Sequence, residues 1–130
     1  MSRAKVVIAD DHPFVLDGLA NLLKDRFDVV AMVTDGHQLV DAAASLRPDV
    51  IITDISMPGL NGLEAFGRLK AAGSAARVIV LTLHADAHLA AEVMASGASA
   101  FVVKLLASSE LITAVEHVLL GQTYLTPSLA

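Results

Sequence analysis

The sequence predicts an α/β protein built on a doubly wound parallel sheet. Apolar runs of strand length alternate with longer segments of helical periodicity, and Gly- or Pro-containing breakers separate the two kinds of segment. The five runs of β-branched and aliphatic residues are 4–9, 29–33, 50–53, 78–81 and 100–103. Strict alternation of strand and helix implies right-handed crossovers, so helices should cover both faces of the sheet.

The segments between these runs place their apolar residues on one helical face. Such stripes are typical of helices that pack against a sheet. The clearest sets are Leu16, Leu19, Leu22 and Leu23; then Leu39, Ala42, Ala43 and Leu46; and finally Leu111, Ile112, Val115, Val118 and Leu119. Five strand–helix units favour the flavodoxin-like (βα)5 strand order 2-1-3-4-5, in which ligands bind between the carboxyl ends of the first and third strands.

Length and composition indicate one domain. The 130 residues suit a single hydrophobic core. We expect the domain to span residues 1–121. Residues 122–130, QTYLTPSLA, have lost the helical period and are interpreted as a connector towards an output domain absent from this chain.

The charge and cysteine content exclude several functions. The formal net charge is −5, from 9 basic and 14 acidic residues, and cysteine is absent. Nucleic-acid binding needs a basic surface that releases counterions, so we expect no nucleic-acid contact by this chain. Thiolate metal sites are excluded as well. No apolar run approaches the ~20 residues of a membrane span, and no secretory signal pattern is present. We therefore expect a cytoplasmic protein without membrane contact.

Polar residues follow four of the predicted strands. Asp10 and Asp11 end KVVIADD, Asp54 ends DVIITD, Thr82 ends RVIVLT and Lys104 ends AFVVK. The carboxyl ends of parallel strands lie at one edge of the sheet. Converging carboxylates repel unless one takes a proton or a cation joins them, and Mg²⁺ prefers oxygen ligands. The cluster therefore predicts a site for Mg²⁺ and a phosphoryl group.

Each of these residues also has a simpler interpretation. Asp10 and Asp11 precede Pro13 and could cap the first helix. Asp54 could be an ordinary loop aspartate, and Lys104 could be a solvated lysine at a strand end. Thr82 could serve only as a good strand residue.

Four segments resemble one known family. DDHPFVLDGL, TDISMPGLNGLE, VLTLH and GASAFVVK look like the receiver domains of two-component response regulators. The sequences of these segments are most similar to those of the branch with a C-terminal LuxR/NarL-type helix-turn-helix output domain. The resemblance covers Lys5 to Gly121, and it implies a phosphorylation-activated switch in place of a classical enzyme.

The resemblance assigns roles to the acidic residues. Asp54 would be the phosphoacceptor, taking the phosphoryl group from a histidine of a sensor histidine kinase. Asp11 and Asp54 would bind Mg²⁺ directly, Asp10 would act mainly through water, and the backbone carbonyl of Ser56 would supply another ligand.

The resemblance also assigns a switch. Lys104 would pair with Asp54 and then with the phosphoryl oxygens. Thr82 would move to hydrogen-bond the phosphoryl group, and Phe101 would be the switch aromatic, although core packing alone would also explain it. The implied result is phosphorylation-dependent homodimerisation through residues 86–121.

The sequence argues against three other functions. A phosphatase with an aspartate nucleophile usually needs an acid two residues further on, but Ile55 and Ser56 follow Asp54. A flavin or nucleotide binder would want a Ser/Thr/Gly-rich loop after the first strand, and DDHPF is acidic. A receiver that switches without phosphate typically lacks one of the five polar residues, and none is missing here.

The remaining expectations concern histidines and departures from the family pattern. His12, His84 and His88 lie near strand ends or helix starts but lack a convincing metal-ligand spacing, and His37 and His117 should lie on helix surfaces. Leu83 is larger than the small residue that often follows the threonine in the family, Leu105 stands where many relatives have proline, and Ser56 occupies a variable position next to the site. Because a cis bond before a non-proline residue costs about 3–4 kcal/mol, we expect the Lys104–Leu105 peptide bond to be trans.

Overall fold

A computed structural model describes residues 3–84 and 86–129 as a parallel sheet with helices on both faces. The strand order is β2-β1-β3-β4-β5-β6. The strands are β1 (Lys5–Ala9), β2 (Asp28–Val33), β3 (Val50–Asp54), β4 (Arg77–Thr82), β5 (Ala100–Val103) and β6 (Tyr124–Leu125). The helices are α1 (Pro13–Leu23), α2 (Gly36–Leu46), α3 (Gly62–Ala71), α4 (Ala87–Ala95) and α5 (Ala107–Leu119). The predicted flavodoxin-like order of the first five strands is confirmed.

The sheet separates two apolar layers. Alternate residues of a strand point to opposite faces, so Val6 and Ile8 pack with α1 and α5 while Val7 and Ala9 pack with α2, α3 and α4. The central strand β3 is buried along its whole length. The helix stripes read from the sequence match this packing, except that Leu119 is 36% exposed.

Polar caps and left-handed residues set the helix ends. Asp35 caps α2, and Asn61 forms a capping box with Glu64 at α3. Asp86 caps α4 by accepting hydrogen bonds from the backbone N–H groups of His88 and Leu89. The C-cap residue of α2 is Arg47, whose φ of 48° lies in the left-handed region. The proposed capping role of Asp10 and Asp11 at α1 is not seen, because α1 follows His12 and has no side-chain cap bond.

The tail after Gly121 differs from the expected connector. Tyr124 and Leu125 form β6, which lies parallel to β5 and pairs with Ala100 and Phe101. A short 3-10 helix, Pro127–Leu129, follows it. Thr126, between the two, is fully buried. Tyr124, Leu125 and Thr126 therefore pair with β5, which the sequence did not predict for residues 122–130.

Across the part of the chain that the structure describes, none of the helices combines the length and the apolarity needed to cross a bilayer.

Candidate functional site

Two neighbouring strands bring the acidic residues together. Strands β1 and β3 pair in parallel, with Ala9 opposite Thr53. Asp10 and Asp54 directly follow this pair and therefore lie side by side at the carboxyl edge of the sheet. Asp54 is the last residue of β3, and both side chains are almost completely buried.

Lys104 supplies the positive charge at this edge. Its Nζ donates a hydrogen bond of 3.0 Å to Oδ2 of Asp54 and also contacts Oδ2 of Asp10. The lysine side chain is only 8% exposed. Burial by itself lowers the pKa of Lys104, but the contacts with both carboxylates outweigh it, so the pKa lies above its ordinary value. Lys104 therefore stays charged, and it joins two carboxylates where the sequence predicted one.

The two oxygens of Asp10 have different partners. Its Oδ1 accepts a hydrogen bond of 2.9 Å from the backbone N–H of His12 and lies 3.0 Å from the Nδ1 of the same residue. Its buried Oδ2 is in contact with the ammonium group of Lys104. A buried carboxylate is costly unless it is paired, and Lys104 supplies the pairing charge.

A cation could be held by four neighbouring side chains. One potential ligand atom from each of Asp10, Asp11, His12 and Asp54 lies within 4.8 Å of the others. Three of these residues offer carboxylate oxygens, the ligand type that Mg²⁺ prefers. The fourth, His12, places Nδ1 3.0 Å from Asp10 Oδ1 and 3.1 Å from Asp11 Oδ1, so that nitrogen is already engaged. The donor set therefore fits a hard oxygen-binding cation such as Mg²⁺.

His12 is the member of this cluster that sequence reasoning missed. It was considered only as a doubtful transition-metal ligand together with His84 and His88. The metal-binding group found within the described ranges contains neither of those two. His88 instead lies 3.0 Å from Glu92 on α4. The position of His12 directly after two aspartates was the available signal.

The loop after Asp54 is held between two close backbone contacts. The N–H of Gly36 donates to the carbonyl of Leu60, and the N–H of Gly62 donates to the carbonyl of Ile55, both at 2.9 Å. A Cβ on Gly62 would lie 2.0 Å from the carbonyl oxygen of Asp54, and one on Gly36 would lie 2.1 Å from that of Leu60. Only glycine fits at these contacts, and they fix where the backbone of Asp54 lies.

The other predicted residues lie on β4, on β5 and in the loop after β3. Thr82 ends β4 in a buried position, and its Oγ1 accepts a hydrogen bond from the backbone N–H of His84. Phe101 is fully buried on β5, packed with residues of α4. Ser56 is exposed in the loop two residues after Asp54. The Lys104–Leu105 bond is trans, as predicted, and Lys104 still reaches Asp54.

Comparison with known proteins agrees with this arrangement. The family model "Response regulator receiver domain" matches residues 6–116. The response regulator GacA of Pseudomonas aeruginosa is 32% identical over 128 residues, covering 97% of this chain and 60% of GacA. The chain belongs to the response regulator receiver family, whose members are signalling proteins.

Solved structures show the same fold. A LuxR-family two-component response regulator from Aurantimonas sp. SI85-9A1 has a TM-score of 0.92 at 30% identity, covering 98% of this chain and 93% of that one. A structure of two RcsB dimers bound to two parallel DNAs has a TM-score of 0.89 at 28% identity, covering 98% of this chain and 66% of RcsB. The chain spans between 54% and 60% of the length of three similar curated regulators.

Proposed function

We propose that this domain is a phosphorylation-activated switch in which Asp54 accepts a phosphoryl group from a phosphohistidine of a sensor histidine kinase. One observation carries the proposal: a buried ammonium group, that of Lys104, bonds one oxygen of Asp54 and touches Asp10 beside it. Phosphoryl transfer needs a positioned nucleophile and nearby positive charge more than it needs covalent catalysis. This cluster offers both.

The transfer step follows from which oxygen of Asp54 is engaged. Lys104 bonds Oδ2, so Oδ1 is the oxygen that attacks phosphorus. A new O–P bond forms while the P–N bond to the kinase imidazole breaks. The imidazole keeps the electron pair of that bond and takes a proton from solvent, and Asp54 becomes an acyl phosphate. Hydrolysis of this acyl phosphate by water then returns the carboxylate, which ends the signal.

The metal-binding role falls to the carboxylates. Asp11, Asp54 and the backbone carbonyl of Ser56 would hold Mg²⁺ directly, with Asp10 acting mainly through water. The metal would offset negative charge on the phosphoryl oxygens. Lys104 would offset the same charge, and the close contacts of Gly36 and Gly62 hold the loop that follows Asp54 in place. Three carboxylates lie together with one ammonium group among the described groups of the cluster, and this excess of negative charge supports the binding of a further cation.

Phosphorylation would act through two neighbouring strands. It adds negative charge beside Thr82, which ends β4, and Val103 of β5 lies opposite Thr82. We propose that Thr82 bonds the phosphoryl group and that Phe101 repacks against α4, which changes the face formed by residues 86–121. That face would then form a homodimer; the similar protein RcsB is a dimer in its DNA-bound structure. Sedimentation of phosphorylated and unphosphorylated protein tests this; an unchanged monomer after verified phosphorylation would oppose it.

The output is proposed to be transcriptional. Similar regulators are longer than this chain, and the chain carries a net charge of −5. We therefore propose that DNA contact is made by residues beyond those present here. A filter-binding assay with duplex DNA should show no salt-dependent binding by this chain, and tight binding would contradict the assignment.

The phosphoacceptor assignment is tested with Asp54→Asn. A phosphorylated histidine kinase or acetyl phosphate, with Mg²⁺, should label wild-type protein and leave Asp54→Asn unlabelled. Asp17→Asn, on the exposed face of α1, is the matched control and should be labelled at the wild-type rate. Chelation of Mg²⁺ should stop labelling of wild type. Labelling of Asp54→Asn at the wild-type rate would overturn the proposal.

A further inference from the structure

We propose that Thr126 is a positioning residue for Lys104, and that the C-terminal tail thereby forms part of the phosphorylation machinery. The inference rests on the proposed function of Asp54 and Lys104. Thr126 directly follows β6, the strand that the sequence did not predict.

Thr126 takes over the pairing with β5 where β6 stops. The backbone N–H of Tyr124 donates to the carbonyl of Ser99, and that of Thr126 donates to the carbonyl of Phe101. The next pairing position is Val103, but the chain turns into the 3-10 helix at Pro127. The side chain of Thr126 fills the gap, because its Oγ1 accepts a 2.9 Å hydrogen bond from the N–H of Val103.

The bonded residue lies immediately before the catalytic lysine. Val103 is the last residue of β5, and Lys104 begins the 3-10 helix that follows. The backbone direction at Val103 therefore decides where the lysine stem starts. On its other side, Val103 pairs with Thr82 of β4. Thr126 closes the free side of this residue, so β5 is fixed from both neighbouring strands at the point where it delivers Lys104.

Burial makes the hydroxyl of Thr126 hard to replace. Thr126 has no exposed surface, and its bond to Val103 is buried. A buried N–H without an acceptor is strongly disfavoured. Without the hydroxyl, the backbone near Val103 must shift to find another partner. Because Lys104 reaches Asp54 by a single 3.0 Å bond, such a shift loosens the ammonium from the carboxylate.

The test compares phosphorylation rates of four proteins with acetyl phosphate and Mg²⁺ as the donor system. Thr126→Val, which keeps the shape and removes the acceptor, should slow phosphorylation of Asp54 roughly tenfold, since small misplacements of catalytic groups are costly. Thr126→Ser keeps the hydroxyl and loses only a methyl group, so it should retain most of the wild-type rate. Thr123→Val, on the exposed part of the same tail, should match wild type.

A second measurement separates positioning from general destabilisation. In a Lys104→Met background, Thr126→Val should slow phosphorylation no further, because the lysine through which it acts is gone. Equal slowing in both backgrounds, or a Thr126→Ser variant as slow as Thr126→Val, would overturn the inference. If wild-type protein is not phosphorylated on Asp54 at all, the proposed function itself fails, which is a distinguishable result.

Discussion

Replacing Lys104 by methionine probes the electrostatics of the site most sharply. A unit charge pair at the 3.0 Å Lys104–Asp54 separation interacts by about 5.5 kcal/mol at an effective dielectric constant of about 20. Part of this is offset by the desolvation of both groups. Removing one partner from a buried pair typically costs about 3–5 kcal/mol, and the lysine side chain is only 8% exposed. In the absence of divalent cations, we expect Lys104→Met to lower the melting temperature by about 10 °C or more.

Magnesium should reverse much of this loss. Without the ammonium, Asp10, Asp11 and Asp54 face one another with no fixed positive charge among the described groups of the cluster. Mg²⁺ should therefore bind Lys104→Met more tightly than wild type and raise its melting temperature more, through preferential binding to the folded state. Phosphorylation of the variant should nevertheless be slower, since the lysine acts on the transferred phosphoryl group.

Thermal denaturation followed by circular dichroism, with and without Mg²⁺, measures both effects. Lys24→Met, at an exposed lysine beyond the end of α1, is the matched control and should change little. Equal melting temperatures of Lys104→Met and Lys24→Met in metal-free buffer would refute this prediction. Equal stabilisation of the two variants by Mg²⁺ would refute it as well.

Three further predictions concern the loop, the metal and the tail. Gly62→Ala should destabilise the protein by about 1–3 kcal/mol and weaken Mg²⁺ binding, because its Cβ would lie 2.0 Å from the carbonyl oxygen of Asp54. Gly67→Ala, in the same helix with nothing within 4 Å of its Cβ, should instead stabilise by about 0.5–1 kcal/mol; equal urea midpoints for the two would contradict the packing argument. In an Mg²⁺ titration, Asp11→Ala should weaken binding more than Asp10→Ala, and wild-type affinity in Asp11→Ala would refute direct ligation. Burial and the hydrogen bond to Glu110 raise the pKa of Tyr124 to about 12, so its stabilising contribution is present below about pH 10 and is lost as the pH rises towards 12. Tyr124 is the single tyrosine of the chain, so ultraviolet absorbance of the phenolate reports its titration directly. A titration midpoint near pH 10 in the folded protein would be inconsistent with the contact to Glu110. An unchanged Tyr124 pKa in Glu110→Gln would be inconsistent with it as well.

The sequence was sufficient for the parts of the fold that repeat locally. Strand-length apolar runs and helical stripes depend on near neighbours, so the five strands and their order were predicted. The polar residues at strand ends were predicted for the same reason, since parallel strands end together. Asp10, Asp54 and Lys104 are indeed in contact.

What the sequence could not show depends on contacts between distant segments. Strand β6 has two residues, too few to display alternation, and it exists because β5 offers an unpaired edge. The close approaches of Gly36 and Gly62 are properties of the assembled loop. Lys104 touches Asp10 as well as Asp54, and a pattern of strand ends does not say which carboxylate a flexible lysine reaches.

Asp54 alone should become the acyl phosphate. Borohydride reduces an aspartyl phosphate to homoserine. Mass spectrometry of peptides from the treated, phosphorylated protein then locates the homoserine on the chain. We expect homoserine at position 54 only, formed in the presence of Mg²⁺ and absent from protein that has not been exposed to a phosphoryl donor. Homoserine at position 10 or 11, or a phosphorylated protein with position 54 still aspartate, would contradict it.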